Sequence, residues 1–123
     1  MSVPIRITAG EVSVEAELDD SDCSQQIAEA LPIEASASTW GEEIYFSIDI
    51  DCATEDMQSA VELGDLGYWP PGSAFCMFFG MTPMSTADEI RPASDVMVIG
   101  RMKGDIEGLK SVKAGAQVTI ERA

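Results

Sequence analysis

Five residues in this chain have side chains and settings that suit a ligand: Trp40, Glu42, Tyr68, Trp69 and Arg91. Glu42 falls within the alternating stretch from Ser38 to Cys52, where Trp40, Ile44, Phe46, Ile48 and Ile50 share one parity. It is the single charged residue on that apolar parity. A carboxylate there needs a partner, a pocket rim or a bulge, because burying an unpaired charge is costly. In a cleft its shifted proton affinity would mark a functional group. Tyr68 and Trp69 lie in Gly64-Asp65-Leu66-Gly67-Tyr68-Trp69-Pro70-Pro71-Gly72, which reads as a structured turn region with its path set by glycine and proline. Large rings with a polar edge at such a place line grooves. Arg91 sits in a loop of a chain with only 7 basic residues, and its planar fork suits a carboxylate, a neighbour's or a ligand's.

Much chemistry is excluded by what is missing. The chain has no histidine, which removes the usual general base and every Ser-His-Asp or Cys-His mechanism. Cys23, Cys52 and Cys76 are widely spaced with no CxxC, so zinc sites are excluded, and the expectation is three buried, unpaired thiols in a reducing compartment. Asp49 and Asp51 share a strand parity, with Asp19, Asp20 and Asp22 elsewhere, and neither set has the spacing of a calcium loop. Glu42 and Glu43 are adjacent, so on a strand they point to opposite faces and do not form a carboxylate pair. No metal and no cofactor is expected.

The charge balance is 22 acidic against 7 basic residues, a net charge of −15. Such a surface repels phosphate backbones and anionic lipid, so neither nucleic acid nor membrane is expected as a partner. Its simplest reading is solubility. No apolar run approaches the ~20 residues of a membrane span, and the N-terminus lacks the apolar block of a secretory signal. The expected location is the cytoplasm, and the oligomeric state is open.

The elements that must position these residues are short. At 123 residues the chain fits one domain, residues 1–123, with no repeat or linker. Ile5, Ile7 and Ala9, then Val12, Val14, Ala16 and Leu18, alternate on either side of Gly10-Glu11 and predict a β-hairpin. Asp22 and Gln25 have capping-box spacing, and Cys23, Ile27, Ala30 and Leu31 predict an amphipathic helix that Pro32 ends. Ser38 to Cys52 and Met57 to Leu63 alternate as strands. Ala74 to Phe79 and Val96 to Met102 are apolar on both parities, as in a barrel wall with a helix outside. Asp105 caps a short helix carrying Ile106, Leu109 and Val112, and Ala116, Val118 and Ile120 close the pattern. The fold class is mainly β: about eight strands in a closed barrel with two short helices.

The runs Thr39-Trp40-Gly41-Glu42-Glu43-Ile44-Tyr45-Phe46, Gly64 to Gly72 and Ala74 to Gly80 resemble the small prokaryotic cyclophilin-like proteins. So do Thr82-Pro83-Met84, Pro92-Ala93-Ser94 and Val96 to Arg101. The resemblance runs the length of the chain in order. It implies an eight-stranded barrel related to the prolyl isomerases. It also implies departures: Ala74 stands where the cyclophilin strand has its pocket Gln, and Cys76 where it has a pocket Phe. The stretch Glu42 to Ile50, comparable to the strand with the catalytic Arg, has neither Arg nor His.

The expected function is therefore a binding module, with Trp40, Glu42, Tyr68, Trp69 and Arg91 lining a pocket for a small molecule or peptide. The alternative is a weak or atypical prolyl isomerase with Arg91 supplying the donor. An enzyme acting through carboxylates alone ranks last.

Overall fold

The computed structural model describes residues 2–123. It holds β1 (Val3–Ala9), β2 (Val12–Leu18), helix α1 (Asp22–Ala30), β3 (Ile33–Ser36), β4 (Ser38–Thr39) and β5 (Glu43–Ser47). These are followed by β6 (Asp65–Trp69), β7 (Ala74–Phe78), β8 (Met97–Lys103) and β9 (Gln117–Arg122). One antiparallel sheet has the order β3-β9-β1-β2-β8-β6-β7-β5-β4. Its edge strands β3 and β4 are separated by Ala37 alone. Two edges joined by one residue must lie close together, so the sheet curls into a nearly closed barrel. The mainly β barrel is as expected, with nine strands instead of eight. β3, four residues long, is too short to show a period of two, and β4 is split off from the stretch expected as one strand.

The barrel interior follows the alternation. Ile5, Ile7, Val14, Leu18, Ile44, Phe46, Val118 and Ile120 are buried in one cluster. Phe46 and Phe75 stack there with centroids 5.4 Å apart. Helix α1 packs on it through Cys23, Ile27 and Ala28, not Ala30, which is exposed. The cap is Ser21 and not Asp22: the Ser21 side chain accepts from the Ser24 backbone N–H at 3.2 Å. Ser24 is itself buried and donates to the carbonyl of Ile99 on β8 at 2.9 Å, which ties the helix to the wall.

Four expectations are corrected. Ser38 to Cys52 is not one strand but a hairpin of β4 and β5, pairing Ser38 with Tyr45 and Thr39 with Ile44. Trp40-Gly41-Glu42 is its turn, with Gly41 at φ +62°, the left-handed region that glycine accepts without strain. Part of the Gly64–Gly72 turn region is β6, and only Pro70–Gly72 forms a tight 3-10 turn. Met57 to Leu63 is not a strand: it touches the rest of the fold through isolated bridges, Gln58 with Val96 and Val61 with Ile90. The second helix is a 3-10 turn, Glu107–Ser111, with Leu109 fully buried.

The cysteine expectation also changes. Cys23 and Cys52 form a disulfide across 29 residues, and Cys76 alone is a free, buried thiol. Because these cysteines are distant in sequence, spacing gave no hint of the pair; helix α1 and the segment after β5 bring them together. Such bonds persist in oxidising compartments and in hyperthermophiles, so unpaired cysteines no longer argue for a reducing compartment. No helix among the described residues is long and apolar enough to cross a membrane.

Candidate functional site

β7 is buried on both faces, as expected, but no helix covers its outer side. Phe75 and Met77 enter the barrel, whereas Ala74, Cys76 and Phe78 join Val61 and Val96 in a second cluster outside it. Gly67 on β6 makes room for this cover: a Cβ there would lie 3.2 Å from Val96 Cγ2. Beside this outer cluster a cavity of about 120 Å³ lies between the sheet and the segment before β8. Trp40, Glu43, Tyr45, Trp69 and Cys76 form its sheet side, and Pro92, Ala93 and Val96 face them.

The strand pleat explains who is present. In β5, Ile44 and Phe46 point inward, so Glu43 and Tyr45 point outward. Register pairs Tyr45 with Cys76, Cys76 with Gly67, and Ala74 with Trp69, which places them on one face of three adjacent strands. The turn at Gly41 carries Trp40 to that outer face. Trp69 is held by its indole N–H, which donates to Ser94 Oγ at 2.6 Å.

Glu43 is the distinctive group. It is 5% exposed. Burial raises its pKa to about 7, and the Cys76 thiol, acting as a hydrogen-bond partner, opposes the rise. Burial first, then the Glu43 charge, pushes the Cys76 thiol well above its ordinary range, so it is not an activated thiolate. No ion pair to Glu43 occurs among the described residues. The cavity therefore supplies one carboxyl that exchanges a proton near neutrality and a wall of aromatic rings.

Of the five residues picked from the sequence, Trp40 and Trp69 line this cavity and the other three do not. Glu42 is in the hairpin turn, where Oε1 accepts from the Met81 backbone N–H at 3.3 Å and Oε2 lies 3.4 Å from Lys110 Nζ. Tyr68 points into the barrel, fully buried; its hydroxyl donates to the Ile50 carbonyl at 2.8 Å and accepts from the Cys52 N–H at 3.3 Å. Arg91 donates to Glu89 Oε1 at 2.7 Å, and its carbonyl accepts from the Thr82 hydroxyl. These contacts knit the 82–91 loop. Glu43, Tyr45, Cys76 and Val96 were missed. The available signal was Gly41: read as a hairpin turn, it moves the exceptional carboxylate from Glu42 to Glu43.

Fold and site together define a small β-barrel protein with an aromatic, singly acidic cavity on its outer wall. The sequence profile of the Cyclophilin-like family matches residues 3–121, and the chain belongs to that family. The solution structure of the hypothetical protein AF2241 from Archaeoglobus fulgidus is 45% identical, covers 99% of this chain and 95% of that one, and superposes with a TM-score of 0.84. McbB, solved in complex with tryptophan, is 12% identical with a TM-score of 0.71, over 96% of this chain and 44% of McbB; the likeness is one of fold alone. No curated protein matches. Cys76 lines the cavity, while Ala74 packs in the outer cluster.

Proposed function

We propose that this barrel is a binding module whose outer cavity holds one compact group of a small molecule or of a peptide side chain. The observation that carries this reading is Glu43, a buried carboxyl lining an otherwise largely apolar cavity with no basic partner among the described residues. Burying a carboxyl with a thiol as its hydrogen-bond partner and no counter-charge costs stability, so a site that keeps one is explained by a ligand that supplies the charge. The volume limits the occupant: a cavity of about 150 Å³ takes a benzene-sized molecule, and this one, at about 120 Å³, takes one ring or one side-chain end.

The isomerase alternative gains no support. A twisted X-Pro amide needs a strong donor, yet the lining contains no Arg or Lys; Arg91 lies outside it, with Nη2 on Glu89 and a buried Nε that has no partner among the described residues. Exchange NMR of the isotope-labelled protein against a panel of proline peptides and small metabolites tests both readings. The expected result is shift changes at the Trp40 and Trp69 indoles and at Cys76, with no acceleration of peptide cis–trans exchange. A panel that shifts none of those signals overturns the binding reading.

A further inference from the structure

We propose that the group this cavity takes is a compact ammonium, on a small amine or at the end of a lysine-type side chain. The inference rests on the reading of the cavity as a ligand site and adds its chemical class.

Several observations converge. Three aromatic residues, Trp40, Tyr45 and Trp69, line the cavity around a single carboxylate. The electron-rich faces of such rings attract cations, Trp most strongly, and cages of this composition recognise quaternary ammonium groups. The only stacked ring pair among the described residues is Phe46 with Phe75 inside the barrel, so these three are not spent on one another. The indole N–H of Trp69 is already bonded to Ser94, which leaves ring surface as what that residue offers.

Six of the protein's seven basic side chains are engaged elsewhere, and the seventh, Lys113, does not line the cavity. Arg6 pairs with Glu15, Arg91 with Glu89, Arg101 with Glu62 and Asp65, Lys103 with Glu17, and Lys110 with Glu42 and Glu107. Arg122 donates to the Ala28 carbonyl. None of the described residues lining the cavity supplies a counter-charge for Glu43, which leaves that role to a ligand. The field of a chain with net charge −15 concentrates cations at its surface, which favours arrival of that charge and disfavours an anion. The volume, about 120 Å³, suits a trimethylammonium-sized group and not a whole metabolite.

An ammonium partner requires Glu43 in its charged form. The titratable groups facing it are Tyr45 on its own strand and Cys76 on β7; from the facing segment only Pro92, Ala93 and Val96 reach the cavity, and Glu42 in the turn is directed to Lys110. Binding of a permanently charged ligand should thus tighten as pH rises toward 7, by roughly tenfold per pH unit.

The test uses the full chain, isotope-labelled, titrated with tetramethylammonium, choline, Nα-acetyl-lysine amide and 3,3-dimethylbutan-1-ol, the neutral counterpart of choline. Expected are shifts at the Trp40 and Trp69 indoles with the three cations. The alcohol should bind at least about tenfold more weakly, and Glu43→Gln should weaken the cations by at least about tenfold. Choline ahead of the lysine derivative identifies a free amine; the reverse order identifies a side chain on a peptide. If the alcohol binds as well as choline, or Glu43→Gln changes nothing, the ammonium class is overturned while the cavity stands. If none of these four probes shifts these signals, and the panel of proline peptides and metabolites shifts none either, both readings fall.

Discussion

Phe75 and Met77 on one face of β7, and Ala74, Cys76 and Phe78 on the other, are all at most 2% exposed, but different structures cover them. The inner pair is enclosed by strands whose hydrogen bonds run in continuous ladders around the barrel. The outer three are enclosed by chain segments 57–63 and 90–96, which are joined to each other by the isolated bridges Gln58–Val96 and Val61–Ile90 and not by a continuous ladder. A cover with few ladder bonds opens locally at lower free energy than a ladder does. The cavity and its carboxyl lie on that side, in keeping with the general placement of binding groups under loops carried by a rigid scaffold.

The largest effect should come from attacking the two interiors separately. Phe75→Ala removes a ring stacked on Phe46 and should cost about 3–5 kcal/mol in urea unfolding. Val96→Ala, on the outer cover, should cost about 1–2 kcal/mol while raising amide exchange around Gln58 and Val61. Equal losses, with unchanged exchange at Gln58 and Val61, would mean that the outer cover is as integral to the fold as the barrel interior.

Next in size is the carboxyl that the outer face tolerates. The pKa of Glu43 is raised from 4.5 to about 7 in the folded chain, so between those values the native state binds the extra proton. Stability is then highest below about 4.5 and falls as pH climbs to about 7, by of order 3 kcal/mol from this one group. Burial of Asp65 raises its pKa as well and adds to the same trend, so the informative quantity is a difference. Glu43→Gln minus the parent chain should show a stability gain that grows across that window and levels off above pH 7. A flat difference would mean that Glu43 is solvated and that the outer cavity is not a dry interior.

These two faces were unequally legible in the sequence. Where strands are long and half exposed, as in β1 and β2, a period of two gives the element, its turn and its inward residues directly. β7 was legible as doubly buried, but apolarity on both parities says nothing of what lies outside, and loops 57–63 and 90–96, not a helix, turned out to cover it. The site was half legible for one reason. Continuing a single parity through Gly41 put Trp40 and Glu42 with Ile44, when the left-handed turn there reverses the chain and leaves Glu43 and Tyr45 on the cavity side. In the sequence Tyr68 and Trp69 look alike as turn residues; they belong to a strand, so one points in and the other out. The Cys23–Cys52 bond depends on a contact across 29 residues and left no local trace.

The smallest expected effect asks whether the two faces are independent. Tyr68 lies wholly inside the barrel, yet its hydroxyl holds the Ile50 carbonyl and the Cys52 N–H, at the start of the chain that runs on to the outer cover. Tyr68→Phe keeps the ring and leaves those two backbone groups without that partner, which should cost about 1–2 kcal/mol. The Cys23–Cys52 bond still pins the segment, so the loss should appear as faster amide exchange at Cys52 more than as global unfolding. If exchange also quickens at Gln58 and Val61, the hydroxyl transmits the state of the barrel interior to the cavity's surroundings. If it quickens at Cys52 alone, the segment between is slack, and the outer face is set by its own contacts with β7 and Val96.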